Sequence, residues 1–200
     1  MTRPGTTPRS VKNLGSGGRS DLELVAALLD KNRKAAAQFV ALYTDPIHAY
    51  VYHRLIPRAD LVDDLVQEVF LAAWASLDRF EGRSSLKTWL LGIARHKVEN
   101  YYRSRLREPH SLDLDEASTP EIMEDPRFDL AIDRERTMAQ TRSVLEALPE
   151  SYSLLLLWRY WEKKSVREMA ENIGRTEKAV ERALARAREQ FKRRWNHVKG

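Results

Sequence analysis

The sequence predicts an all-α chain: two small helical domains joined by a flexible acidic linker. Two patterns predict it. Apolar residues recur at three- and four-residue spacing along most of the 200 residues, and no β-branched alternation of any length appears. One segment of opposite character, 108–135, divides the chain. It holds ten acids against two bases, Arg127 and Arg134, and Pro109, Pro120 and Pro126 interrupt it. This reads as a solvated tether, turning helical again from about Arg127.

Composition excludes several classes. There is no Cys, so disulfide frameworks, thiolate zinc sites and thiol chemistry are ruled out. The N-terminus lacks the apolar stretch of a signal peptide, and no apolar run approaches the ~18 residues of a membrane span. A cytoplasmic protein without membrane insertion is expected. The net charge of +5 says little by itself; its distribution says more.

Residues 1–19 are rich in Gly, Pro, Ser and Thr, and bury too little to offset ordering entropy, so they read as a flexible tail. Ser20-Asp21-Leu22-Glu23 has the form of a capping box, and Val25, Ala26, Leu28 and Leu29 continue a helix. A second apolar group, Phe39, Val40, Leu42 and Tyr43, lies beyond Lys31-Asn32-Arg33. Asp45-Pro46 then reads as the start of a separate helix, Ile47 to Leu55, stopped by Pro57.

From Asp64 to Arg95 the pattern is helix, Gly/Ser turn, helix. Asp64, Gln67, Glu68 and Leu71 stand at i, i+3, i+4 and i+7, an acidic-polar stripe that ends in an apolar residue. Glu81-Gly82-Arg83-Ser84-Ser85 forms the turn. Its amides and hydroxyls suit a base edge or a phosphate, and equally Gly82 turns the chain while Ser84 or Ser85 caps the next helix. That helix carries Lys87, His96, Lys97, Asn100, Arg103 and Arg105, with Tyr101 and Tyr102 interleaved, as a surface gripping separated strands would. Trp74 and Trp89 lie on apolar stripes and read as core. One compact unit, 20–107, thus offers an acidic face to a protein and a basic one to nucleic acid.

Helical periodicity returns over 136–198, with Val144, Leu145 and Leu148, then Pro149 at a helix start, then Leu154 to Trp158. Ser165-Val166-Arg167-Glu168 is a further capping box, opening a short helix that carries Val166, Met169, Ala170 and Ile173. Gly174 sits where a helix end needs positive φ, and Thr176 caps a longer helix with Val180, Leu184, Ala187 and Phe191 on one stripe. This is a helix-turn-helix pattern, and nine Lys/Arg against three Glu lie between Arg175 and Lys199. The docking rule for this motif sends Arg175, Thr176, Glu177, Lys178, Glu181 and Arg182 to the major groove, with Arg186 and Arg188 nearer phosphates. Arg and Lys pair with guanine and Glu accepts from cytosine, so the set can read sequence. The plainer alternative is a helical hairpin with a solvated basic face.

Two blocks together resemble the RNA polymerase sigma factors of the extracytoplasmic-function (ECF) group in the sigma-70 family. The first is Asp64-Leu65-Val66-Gln67-Glu68-Val69-Phe70, Ala73-Trp74, Arg79-Phe80, Gly82, Thr88-Trp89-Leu90 and Ile93-Ala94-Arg95. The second is Leu148-Pro149-Glu150, Arg159-Tyr160, Glu162, Ser165, Glu168-Met169-Ala170, Gly174, Val180 and Arg186-Ala187-Arg188. The resemblance spans about 21–194. It implies that 20–107 is sigma region 2 and that 136–198 is region 4. In such proteins the face matching Asp64, Gln67, Glu68 and Leu71 docks on the clamp coiled coil of the largest catalytic polymerase subunit, and region 4 meets the flap of the second-largest.

The resemblance further assigns the −10 promoter element to Arg83, Ser84, Ser85, Lys87, His96, Lys97, Asn100 and Arg103, the turn serving as the pocket for a flipped-out base. The −35 element falls to Arg175, Thr176, Glu177, Lys178, Glu181, Arg182 and Arg186. An anti-sigma factor is an implied partner, although no surface in the sequence identifies it. Departures from the family pattern are His96 where Asn is usual, Lys163-Lys164 where Gly and an apolar residue are usual, Trp161, Lys178 for Gly, and Glu181 for a base. The promoter preferred is accordingly expected to be unusual.

Promoter elements one and a half to two helical turns apart lie roughly 50–70 Å from each other. A linker of some 25 residues extends to about 80 Å, so it reaches. Two rival readings remain. A free-standing helix-turn-helix regulator explains 136–198 but leaves 64–95 without purpose. An enzyme lacks support: Asp63, Asp64 and Glu68 have no partner at a metal-ligand spacing, His48 and His53 are off one helical face, and there is no phosphate loop. No catalysis, metal, cofactor or small-molecule substrate is expected.

Overall fold

The computed structural model describes residues 16–108 and 134–199; the tail reading for 1–15 and the linker reading for 109–133 lie outside the described residues. All regular structure among the described residues is helical. The first half comprises α1 (Ser16–Leu29), α2 (Arg33–Tyr52), α3 (Val62–Ala75) and α4 (Leu86–Arg107), with 3₁₀ turns at Ala59–Leu61 and Leu77–Arg79.

Two expected boundaries differ. α1 begins a turn ahead of Ser20, so Ser20 and Glu23 are helical and form no cap. Asp21 serves another helix instead: its carboxylate accepts from the Leu86 amide at 2.8 Å, satisfying an orphan donor at the start of α4, and from the Tyr43 hydroxyl at 3.4 Å. The second difference is Pro46, which lies inside α2 and not at the start of a new helix. Ala35, Phe39, Ile47 and Val51 stand at multiples of four and are all buried along one stripe. Burial of three large apolar side chains, at about 1.5–3 kcal/mol each, outweighs the single backbone bond that proline removes. Asn32 caps α2, accepting from the amides of Lys34 and Ala35.

α3 buries Val62, Leu65, Val66, Val69 and Ala73, and places Asp63 and Asp64 in its first turn, where the helix dipole favours acids. α4 buries Leu86, Leu90, Ala94, Val98, Tyr102 and Leu106. α3 and α4 pack on each other and both pack on α2.

The second half comprises α5 (Arg134–Glu146), α6 (Glu150–Leu156) running into a π-helical turn (Leu157–Trp161), α7 (Val166–Ile173) and α8 (Glu177–Lys199). α5 takes in Arg134 and Glu135, two residues of the stretch read as linker. Ser153 is buried, and its hydroxyl donates to the Leu145 carbonyl at 2.7 Å near the C-terminal end of α5. The expected capping box at Ser165 and Glu168 is present, Gly174 is left-handed at φ 69°, and Thr176 Oγ1 accepts from the Ala179 amide at 3.2 Å. α8 buries Val180, Ala183, Leu184, Ala187 and Phe191 against α5, α6 and α7.

The halves touch. α4 packs against α6 and α7, with Tyr102 and Trp158 edge to face at 5.9 Å. Beside them the Tyr101 hydroxyl donates to Glu150, and Arg105 Nε donates to the same carboxylate at 3.2 Å. Burial, reinforced by the bond to Glu150, pushes the Tyr101 phenol up to about 12.

Two predictions follow from this packing. Lys163 is exposed yet left-handed, at φ 58°. Lys163→Gly should therefore raise stability by up to about 1 kcal/mol, seen as a higher denaturant midpoint, because glycine removes the Cβ strain of that conformation. Tyr101 has its pKa raised on folding, so its contribution holds below the ordinary value of 10.0 and fades as pH rises toward about 12. Denaturation of wild type and Tyr101→Phe at stepped pH should show their stability difference constant through neutrality and shrinking across that window.

Candidate nucleic-acid interface

Three surfaces emerge from this packing. Because α3 turns Val62, Leu65, Val66 and Val69 inward, Asp64, Gln67, Glu68 and Leu71 all face solvent. Leu71 is 63 % exposed. Trp74, one turn further, is 44 % exposed, with one side of its ring edge-on to Phe39 at 5.5 Å. It therefore extends the apolar end of the stripe and is only half a core residue. Its i+3 spacing from Leu71 was the signal for this. Trp89 does pack inward, against Phe80 at 5.5 Å.

The second surface begins at the turn. Gly82 is buried at φ 68°, and a Cβ there would press on Leu22 at 3.2 Å, so the turn is held against α1. Ser85 caps α4, accepting from the Thr88 amide at 3.1 Å, with its oxygen also 2.8 Å from Thr88 Oγ1. Arg83, Ser84 and Lys87 are exposed, and Arg83 pairs with Glu81 at 2.8 Å. Along α4, His96 and Asn100 are exposed, while Lys97 pairs with Glu68 of the α3 stripe at 2.9 Å. The acidic and basic surfaces are thus joined at one ion pair.

Arg103 is half-buried, its Nη2 3.1 Å from Asn172 Oδ1 on α7. Tyr102 departs from the expected stacking role. It is fully buried, its hydroxyl donates to the Arg54 carbonyl, and burial holds its phenol well above the ordinary range. The four-residue repeat 86-90-94-98-102 places it on the inward stripe; Tyr101, one residue earlier, lies at the edge.

The third surface is the start of α8. Arg175, Thr176, Glu177, Lys178, Glu181 and Arg182 are all exposed, and Arg186 is half-buried a turn beyond. α7 and α8 pack through Met169, Ala170, Ile173 and Val180 and leave that end of α8 open. Among the described residues no cluster of three or more His, Asp or Glu is arranged to hold a metal ion, and no helix is long and apolar enough to cross a membrane.

Residues 39–108 match the family model Sigma-70 region 2, and residues 138–191 match Sigma-70, region 4. The ECF RNA polymerase sigma-E factor of Escherichia coli K12 is 30 % identical over 184 residues, covering 85 % of this chain and 91 % of that protein. RNA polymerase sigma factor HrpL of Pseudomonas syringae pv. syringae is 27 % identical over 155 residues, covering 78 % and 84 %. Among solved structures, CnrH in complex with the cytosolic domain of CnrY aligns with a TM-score of 0.40 at 26 % identity, covering 87 % of this chain and 96 % of that one. With both region matches in order and a sigma-E relative aligned across most of its length, the chain belongs to the ECF group of sigma-70 factors, non-catalytic subunits that bind RNA polymerase and direct it to promoters.

Proposed function

We propose that the three surfaces divide the work of this sigma factor residue by residue. Asp64, Gln67, Glu68 and Leu71, extended by Trp74, take the basic clamp coiled coil of the largest polymerase subunit. Arg83, Ser84, Ser85, Lys87, His96, Lys97, Asn100 and Arg103 take the −10 element, with the 81–85 turn receiving an extruded base. Arg175, Thr176, Glu177, Lys178, Glu181, Arg182 and Arg186 take the −35 element, while region 4 contacts the flap of the second-largest subunit. Residues 20–107 and 136–198 act as the two functional domains, in the cytoplasm, with an anti-sigma protein as the natural antagonist.

One observation carries the reading: the same chain presents a solvent-facing acidic stripe ending in exposed Leu71 and Trp74, and an open helix-turn-helix end rich in Arg and Lys. A free-standing regulator needs only the second. Strand opening follows because the turn and α4 bind a separated strand in preference to duplex, and a ligand with differential affinity shifts the equilibrium toward the state it prefers.

Two experiments test the assignments. Asp64→Arg with Glu68→Arg should keep its helical circular dichroism, since both residues are exposed and the Glu68–Lys97 pair is a surface bridge worth at most about 1 kcal/mol. It should nonetheless lose more than about tenfold in competition for core polymerase, ~1.4 kcal/mol; equal competition refutes the docking face. Arg182→Ala should weaken binding of the holoenzyme to its −35 element by about 1–3 kcal/mol if the guanidinium reads a base, and an unchanged footprint discards that role.

A further inference from the structure

Of the acids on α8, one has nothing to balance it. Glu189 pairs with Arg193 a turn along the same helix. Glu177 stands close to Arg167 of α7, whose guanidinium is held charged first by Glu171, at 3.0 Å, and then by Glu177. Glu181 is exposed, and among the described residues its carboxylate makes no ion pair and no hydrogen bond. It is the fifth residue of α8, within the first two turns, where a helix-turn-helix brings its second helix to the base edges. Val180, Ala183, Leu184 and Ala187 are buried. At about 100° per residue, Lys178 and Arg182 therefore lie nearly opposite Val180, and Glu181 lies on the flank of the same exposed face.

A free carboxylate in that position has a definite chemistry. Duplex DNA carries one negative charge per about 1.7 Å of its axis, so an ionised acid brought against it is repelled wherever it finds no donor. A carboxylate only accepts. The major groove offers it the N4 amino group of cytosine and the N6 amino group of adenine. The adenine group is flanked on both sides by acceptors, its own N7 and the thymine O4, whereas the cytosine group has an acceptor on one side only. Cytosine is thus the base that a carboxylate meets with least repulsion.

We infer that Glu181 is a specificity determinant that selects a cytosine in the −35 element, while Lys178 and Arg182 beside it supply the attraction that the carboxylate forfeits. The inference rests on the start of α8 being the −35 reader, and it deepens that reading by naming a base. Removing the carboxylate has two separable effects. Loss of its charge raises attraction to every sequence alike. Loss of the acceptor abolishes one base preference. An acid that is merely solvated shows only the first.

The test is selection from random duplexes long enough to span both promoter elements, by core polymerase loaded with the full chain. Wild type, Glu181→Ala and Glu181→Gln are compared, and the selected duplex is then titrated with its single-base variants. Wild type should enrich an upstream block in which one position favours cytosine by about fivefold or more, the lower end of what one mismatch costs. In Glu181→Ala that position alone should flatten, with equal or higher affinity for duplexes carrying another base there. In Glu181→Gln it should pass to adenine, which a side-chain amide reads through N6 and N7. A cytosine preference intact in Glu181→Ala, or an upstream block with no position that depends on residue 181, overturns the inference and leaves −35 reading by α8 in place. Enrichment of a −10 block alone, or no sigma-dependent enrichment from wild type, instead defeats the functional reading on which the inference stands.

Discussion

The inward stripe of α4 is the constraint on which the rest of the molecule depends. Leu86, Leu90, Ala94, Val98, Tyr102 and Leu106 are each at most 1 % exposed. Their burial fixes the rotation of the helix about its own axis, and so decides which of its cations face outward. It also fixes where α2 and α3 sit, since both pack on the same helix. Each large apolar side chain in the stripe contributes on the order of 1.5–3 kcal/mol. A surface ion pair contributes about 1 kcal/mol or less, so the charged surfaces are consequences of the core.

Local chemistry at the helix ends then sets the 81–85 turn. The start of α4 is doubly tied, by Ser85 from its own chain and by Asp21 from α1. Gly82 lies against Leu22 of the same α1. A loop with this much anchoring presents Arg83 and Ser84 from a fixed platform, so in the base-binding role proposed for it less ordering entropy remains to be lost on binding. The start of α8 is built alike, with Gly174 reversing the chain and Thr176 supplying the cap.

Much of this was legible from residue types. The α3 stripe, the Ser165 capping box, the left-handed Gly174 and the inward face of α8 follow from spacing and cap chemistry, which are local. What was not legible is tertiary. Pro46 is a sound helix-start signal, but the burial of Phe39, Ile47 and Val51 on one face overrode it. Ser20 and Glu23 have the letters of a cap, yet the helix starts earlier and Asp21 is recruited elsewhere. Tyr102 belongs to a basic-aromatic run by composition and to the core by phase. Trp74 errs in the opposite direction. The seam between the halves could not be read at all, because its pairs, such as Arg54 with Glu162, are separated by 108 residues.

The four-residue repeat of α4 has one more outcome. At 3.6 residues per turn, each step of four overshoots a full revolution by about 40°. Five steps from Leu86 to Leu106 therefore carry the apolar line roughly 200° around the helix. The helix packs on α2 and α3, and near its far end Tyr102 meets Trp158 of the C-terminal half. A single rod thereby serves as the hub of two separate packings. Lengthening or shortening it by one residue would swing the far end by about 100° and misalign the pair.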